Sequence, residues 1–482
     1  MRWSYVIRTI GALIFCIGLT MLLPLGFALH YKDGSELPLF KALLIVLATG
    51  LGLFVAFRHS RVPSMTHREG MAIVALAWLT AGLAGALPFY LGSTTEYFVD
   101  GFFESVSGFS TTGASIFTDI EKVPRGILMW RSLTHWLGGM GIIVFSLAIL
   151  PFLGVGGMQL YKAEVPSPVP DKLRPRIHDT AMVLWKVYLF FTLVETVMLM
   201  FGGMDLFESL CHTFGTMATG GFSTKNASIA HYGSAYIDAV ITVFMLIAGI
   251  NFSLHYFALM GRPRVMWKDP EFRFFMMLVS IFTAVSTLSV FRETYASFWE
   301  SLRHAAFQVA SIITTTGYAT ADYEKWPPLP QSILFFCMFL GASAGSTGGG
   351  MKCMRIMLLL KHGYLELLRL IHPWAVLQVK LAGRPVPDEV IKGIWGFFIL
   401  YLALFILSSF LLAAMGQDIL TAFSAVAASI GNIGPGFGNV GPTENYAHLP
   451  HSAKWLLALC MLLGRLEIYT VIVLFVPEFW RK

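Results

Sequence analysis

The sequence predicts an all-α integral membrane protein: two N-terminal helices, then four pseudo-fourfold repeats of helix, pore loop and helix around a central pore. Three observations carry that prediction. The 482 residues are 56% hydrophobic and 13% charged, with mean hydropathy +0.68, whereas soluble domains carry about 25% charged residues. Apolar runs near 8–30, 38–57, 71–92, 127–153, 181–202, 236–260, 274–291, 331–360, 391–415 and 453–477 approach or exceed the roughly 17–25 residues a crossing helix needs. Between them recur short segments rich in Gly, Ser and Thr that are too short to cross. No alternating pattern of the kind a transmembrane barrel needs appears.

The first run begins with Arg2 and Arg8. It is long enough to span and no A-x-A site follows it, so it reads as a retained helix and not a cleaved signal. The five cysteines (Cys16, Cys211, Cys337, Cys353, Cys460) are scattered, mostly inside apolar runs and without a C-x-x-C pair, which implies neither disulfides nor zinc. Alternating the loops across the membrane gathers most Lys and Arg on one side: Arg2, Arg8, Arg58, Arg61, Arg68, the clusters at 162–176 and 262–273, the 352–392 stretch, Arg481 and Lys482. The positive-inside rule then expects both termini in the cytoplasm. Carboxylates favour the other side, which fits an outer vestibule that concentrates cations and fits ordinary solvated loops equally well.

After the two N-terminal helices (1–66) the chain divides into repeats at 67–153, 154–260, 261–362 and 363–482. Their central segments read FFESVSGFSTTGAS (102–115), LFESLCHTFGTMATGGFST (206–224), AFQVASIITTTGYA (306–319) and TAFSAVAASIGNIGPGFGN (421–439). Alignment on the loop glycine pairs Gly113, Gly220, Gly317 and Gly434. Each segment is expected to dip into the membrane and return, and irregular backbone at that depth is tolerated only against protein or water. Four such loops meeting on one axis offer carbonyl oxygens that replace the hydration shell of a cation. Glycine supplies backbone angles that a side chain would forbid, and each short helix aims its negative C-terminal end at the ion. The candidate cation-binding residues are Thr111, Thr112, Gly113, Thr219, Gly220, Thr316, Gly317, Ile433 and Gly434. The hydroxyls of Thr112, Thr219 and Thr316 are expected to bond neighbouring groups and hold the loops apart, and Ile433 breaks exact symmetry. A small-residue packing seam explains one such segment; it does not explain four in matching context.

The eighth run, SILFFCMFLGASAGSTGGGMKCMRIMLLL, is interrupted by Gly345, Ser346, Thr347, Gly348, Gly349 and Gly350. Each glycine lowers helix propensity by about 1 kcal/mol relative to alanine, so 341–352 is expected to be an intramembrane loop below the pore segments, with a kink between packed helices as the alternative. No G-K-[ST] follows and no strand precedes, which argues against a phosphate-binding loop. Arg465 lies about a dozen residues into the last run, where an arginine costs at least about 2.5–3.5 kcal/mol. It is expected to act as an electrostatic barrier in a cation path, or as a structural group bonded to pore-helix carbonyls, Glu195 or Glu467.

Taken together, STTGAS, MATGGFST, TTTGYAT, NIGPGFG, GASAGSTGGGMK and GRLEIYT resemble the Trk/Ktr/HKT superfamily of potassium transporters, most closely its TrkH branch, over essentially the whole chain. The resemblance implies K⁺ as the transported ion, a potassium-selective pore in each subunit of a homodimer, and the bacterial inner membrane as location. It implies a cytosolic ring of TrkA-like nucleotide-binding subunits on the inner face, the glycine-rich loop as gate and Arg465 at the constriction opposite it. Glycine at 113, where related sodium carriers have serine, implies potassium. An ion-coupled secondary transporter, moving K⁺ with H⁺ or Na⁺, is the alternative, although such carriers usually show two inverted halves. No H-E-x-x-H, paired intramembrane aspartates or histidine cluster appears, so neither an enzyme nor an organic cofactor is expected.

Overall fold

In lipid a backbone amide must find its partner inside the chain, and long apolar runs meet that demand as helices. The computed structural model describes residues 1–58, 66–148, 177–375 and 377–481. The expected basic cluster at 162–176, Arg61, Lys482 and the boundary at 153 lie outside the described residues. Among the described residues six spans are long and apolar enough to cross a bilayer: Trp3–Tyr31, Glu36–Ala56, Arg68–Leu91, Ala181–Phe201, Pro270–Val290 and Asp388–Ala414. A further helix, Arg125–Ala148, has the length but carries Arg131, Thr134 and His135.

The sequence predicts one interrupted span, and the described residues contain three. Ala235–Gly249 and Phe252–Leu259 meet at 106°, and His451–Arg465 and Tyr469–Phe475 at 112°. The eighth run forms Pro328–Cys337 and Cys353–Ile371 on either side of a non-helical stretch. Two of the breaks are fixed by bonds at the break itself and by one to a distant residue. Asn251 caps the second half of its span by accepting from Ser253 N at 2.9 Å, and Phe252 N donates to Gly345 O at 3.1 Å. In the last run Glu467 and Ile468 both take positive φ, 62° and 47°, and Glu467 forms an ion pair with Arg355. Hydropathy alone hides the breaks in the sixth and tenth runs, because apolar residues flank them on both sides.

Four shorter helices dip into this cage: Phe98–Phe109, Leu206–Met217, Phe298–Ile313 and Ile419–Gly431. At about 1.5 Å per residue they fall short of the bilayer thickness. Asp205 and Asp418 cap two of them by accepting from Glu208 N at 2.6 Å and Thr421 N at 3.0 Å. In three of the repeats the second helix stands between its own short helix and the next, and the third repeat is tied to the fourth by Tyr323 OH, which donates to Gly436 O at 2.8 Å. Arg125–Ala148 packs on the first and second, Ala235–Gly249 on the second and third, and His451–Arg465 on the fourth and the first. The ring therefore closes on itself. Ion pairs staple it at two seams, Arg303 to Asp238 at 2.7 Å and Lys454 to Asp100 at 2.6 Å.

The N-terminal pair lies outside the ring, where Trp3–Thr20 packs along Glu36–Ala56 and against His67–Leu91. The close approach depends on Gly50, where an added Cβ would crowd the backbone of Phe15 and the carbonyl of Gly11. Substituting Gly50→Val is expected to cost about 1–3 kcal/mol through overpacking, read as a lower midpoint in thermal unfolding of the detergent-solubilised protein.

Candidate functional site

The four short helices end alike. After each, one residue turns into the left-handed region: Thr111 (φ 53°), Thr219 (56°), Thr315 (62°) and Asn432 (56°). The next residue donates its N–H to the carbonyl five positions back, at 2.8 Å in every case: Thr112 to Ser107, Gly220 to Gly215, Thr316 to Ser311 and Ile433 to Ala428. Then comes a glycine with positive φ, namely Gly113 (83°), Gly221 (78°), Gly317 (82°) and Gly434 (100°). This corrects the register read from sequence. Gly221, not Gly220, corresponds to the other three glycines, and Gly220 stands where the other loops have Thr112, Thr316 and Ile433. Two adjacent glycines in that loop gave composition no means of choosing.

The glycines also show how the loops meet. A Cβ on Gly113 would meet Gly220 O, one on Gly221 would meet Thr316 O, and one on Gly317 would meet Ile433 O; a Cβ on Gly434 would lie 2.7 Å from Thr112 O. Each loop thus presents its glycine to a carbonyl of the next, and the fourth returns to the first. The geometry is a closed ring of backbone carbonyls too tight for a side chain at any of the four glycines.

Polar side chains fix the ring from behind. Thr112 and Thr316 pair with Ser110 and Thr314 at 2.7 and 2.8 Å, and Thr219 Oγ1 donates to Ala218 O at 2.6 Å. Asn432 Nδ2 reaches Thr112 Oγ1 across the seam at 3.0 Å. Tyr318 OH lies 3.0 and 3.1 Å from His212 O and Phe222 O in the second repeat, and Tyr446 OH donates to Gly434 O at 2.7 Å. A buried ion pair reinforces the first seam. Arg131 Nε donates to Glu104 Oε1 at 2.6 Å with side chains 2% and 0% exposed, and Arg131 Nη1 donates to Ser223 O at 2.9 Å. Glu104 also accepts from Ile116 N and the Ser115 hydroxyl at 2.9 and 3.0 Å.

Beneath the ring, residues 338–352 form the loop expected from the glycine run. Thr347 Oγ1 lies 3.0 Å from Met217 O and 3.2 Å from Ala248 O, Gly349 N donates to Thr315 Oγ1 at 2.7 Å, and Gly341 N donates to Met351 O at 2.7 Å. Ser346 folds back on Ser343 O at 2.6 Å, Gly348 O accepts from Lys352 Nζ, and Gly345 and Gly350 take φ of 76° and 63°. Arg465 is 2% exposed; its Nη1 donates to Thr347 O at 2.7 Å and its Nη2 to Gly138 O at 3.3 Å. Its hydrogen bonds go to carbonyls and not to the carboxylates considered from sequence. Glu467 pairs with Arg355, and Glu195 lies buried in another span. Glu271 is a residue that sequence reasoning missed. It is 2% exposed and its Oε1 accepts from Ala344 N at 2.8 Å and Met354 N at 3.0 Å, pinning both limbs of the loop. It hid among the charges of the 262–273 cluster.

The second helices obey the same fourfold order. Added Cβ atoms on Gly138 and Gly464 would meet Phe109 O and Ile430 O, equivalent positions of the first and fourth loops. Those on Gly139 and Gly249 would meet Ala218 and Thr314, equivalent positions of the second and third. These contacts align Gly139, Gly249 and Arg465, and the matching segments HWLGG (135–139), MLIAG (245–249), MFLGA (338–342) and MLLGR (461–465) add Ala342 and place His135, Met245, Met338 and Met461 four residues earlier. Arg465 is thus the one large residue in a set of small ones.

Among the described residues no group of three or more His, Cys, Asp or Glu gathers as a metal site; the oxygens that converge are backbone carbonyls. A multi-spanning helical chain whose four re-entrant loops close on one another is a pore-loop membrane transport protein. The TrkH family model, described as a cation transport protein, matches residues 37–482, and the chain belongs to that family. The chain is 42% identical to the Trk system potassium uptake protein TrkH of Escherichia coli (strain K12), over 100% of both chains. It is 36% identical to TrkG of the same strain, over 98% of this chain and 97% of that one. Its backbone matches the crystal structure of the potassium transporter TrkH from Vibrio parahaemolyticus with a TM-score of 0.92, at 39% identity and 100% coverage of both.

Breaking the buried pair by Arg131→Met is expected to cost about 3–5 kcal/mol, because it leaves Glu104 charged and unpaired. Glu104→Gln combined with Arg131→Met removes the unpaired charge and keeps an acceptor for Ile116 N and the Ser115 hydroxyl, and is expected to recover most of that loss in a thermal-unfolding double-mutant cycle.

Proposed function

We propose that this chain takes up potassium across the bacterial inner membrane through the pore enclosed by its four loops. The observation that carries the proposal is the closed carbonyl ring, in which fixed oxygens replace water around a bare monovalent cation. Thr111, Thr112, Gly113, Thr219, Gly220, Thr316, Gly317, Ile433 and Gly434 form the filter, and Gly221 joins them as the true counterpart of Gly113. The short helices supply a negative potential at the ring through their C-terminal ends. K⁺ is the cargo; no organic cofactor enters the mechanism.

The loop Gly345, Ser346, Thr347, Gly348, Gly349, Gly350 is the gate in this reading, held shut by Arg465 on Thr347 O. A buried guanidinium on the ion path repels cations, and conduction requires the loop and the arginine to withdraw together. The reading extends to both termini in the cytoplasm, the division into a two-helix hairpin and four repeats, a homodimer, and a cytosolic nucleotide-binding ring that moves the loop from the inner face. The distribution of basic residues supports the orientation, the recurring segments support the division, and the family resemblance supports the dimer and the ring.

The deciding experiment is cation uptake into liposomes holding the purified chain, comparing K⁺ or Rb⁺ with Na⁺ under an imposed diffusion potential. Potassium flux down its electrochemical gradient is expected; flux that appears only with a proton or sodium gradient replaces the pore by a coupled carrier. Gly113→Ser is expected to lower the K⁺/Na⁺ ratio by about tenfold, or about 1.4 kcal/mol, since a Cβ there meets Gly220 O. Arg465→Ala is expected to raise flux in the absence of any partner, measured in the same liposomes, with no loss of folded protein on size exclusion.

A further inference from the structure

The second loop departs from the other three, and one side chain accounts for the departure. Its middle position is Gly220 where the others have Thr112, Thr316 and Ile433. A Cβ on Gly220 would lie 2.5–2.6 Å from ring atoms of His135. The imidazole therefore occupies the space that the middle side chain fills in the other loops, and it arrives from a different element, the helix Arg125–Ala148.

His135 is fully buried and bonded at both nitrogens. Nδ1 lies 2.8 Å from Gly108 O on the first short helix, and Nε2 lies 3.2 Å from Phe222 N, next to Gly221 in the second loop. A backbone N–H can only donate, so Nε2 accepts and Nδ1 carries the proton that goes to Gly108 O. The ring is a neutral strut with its donor on one repeat and its acceptor on the next. The equivalent positions in the other repeats are Met245, Met338 and Met461, which have no such pair of groups. Phe222 is further restrained by contact of its ring with His135 and by the Arg131 guanidinium, 3.5 Å from its centroid.

We propose that His135 is a positioning residue for ion selection, setting the spacing between the first and second loops and so the placement of the Gly220 carbonyl. The inference rests on the loops being the filter. Removing the strut while keeping the volume leaves Phe222 N without its acceptor and Gly108 O with the Thr111 N–H alone at 3.0 Å, and a buried donor left unmade costs more than its bond contributes. The second loop then relaxes and the ring loses its preference for the larger ion.

The test is the Rb⁺/Na⁺ uptake ratio in liposomes for His135→Met, His135→Gln and Gly113→Ser alongside the parent chain, with folded yield followed by size exclusion. Methionine is expected to lower the ratio about tenfold. Glutamine, whose amide offers one donor and one acceptor, is expected to restore it to within about threefold of the parent. An unchanged ratio in His135→Met overturns the proposal, as does an equal loss with methionine and glutamine, which assigns the effect to shape alone. Should His135→Met fail to fold, Gly220→Ala serves in its place, because it displaces the ring with both partners intact; an unchanged ratio there also overturns the proposal. Gly113→Ser separates the two levels: an unchanged ratio in it rejects the filter itself, whereas a drop in it beside an unaffected His135→Met rejects only the strut.

Discussion

A peptide group left unpaired in hydrocarbon costs several kcal/mol, and the architecture follows from avoiding that cost while still exposing carbonyls to an ion. The chain must place non-helical backbone at mid-membrane, so every such stretch has to be enclosed by helices and bonded from behind. The ten runs build that enclosure. The loop residues then find partners within their own repeat, as Tyr446 does for Gly434, and in neighbouring ones, as Tyr318 does for Phe222 and Asn432 for Thr112. These bonds take up outward-facing groups and leave the inward carbonyls to the pore. The loop at 338–352 obeys the same demand, with its backbone and hydroxyl groups held by Gly249, Ala248, Met217, Thr315 and Glu271.

Helix positions, the repeat and the glycine-rich loop were legible because they are written in local pattern: length of apolar runs, four recurrences of small residues, and a run of glycines with no helix propensity. What was not legible depends on contacts between distant segments. The register of the second loop could not be chosen between Gly220 and Gly221, since the choice is made by His135, 85 positions earlier in the chain. The breaks at Asn251 and at Glu467–Ile468 sit within apolar surroundings and follow from bonds to Gly345 and Arg355. Arg465 stands out in the sequence as an expensive residue with carbonyls or carboxylates as candidate acceptors; that the acceptors are Thr347 O and Gly138 O, in other repeats, depends on tertiary contacts.

The repeats are alike in backbone and unlike in side chain, and the differences lie where one repeat leans on the next. The first keeps its second helix continuous through Gly138 and Gly139, while the other three break theirs at the same level. The continuous helix carries both His135 and Arg131, two side chains that reach from the first repeat to the second loop. A straight rod holds such reaching groups in fixed relation, whereas a broken one frees the segment below for the loop that crosses there.

Covalent fusion of the four units has a consequence for charge. A pore assembled from four identical subunits places any residue at the axis four times or not at all. Four guanidinium groups at the level of Arg465 would repel one another as well as the ion, and would leave no room for the crossing loop. With the units joined in one polypeptide, three equivalent sites keep Gly139, Gly249 and Ala342 while the fourth alone bears a charge. Four units in one polypeptide thus allow a single guanidinium at this level, an arrangement that strict symmetry forbids.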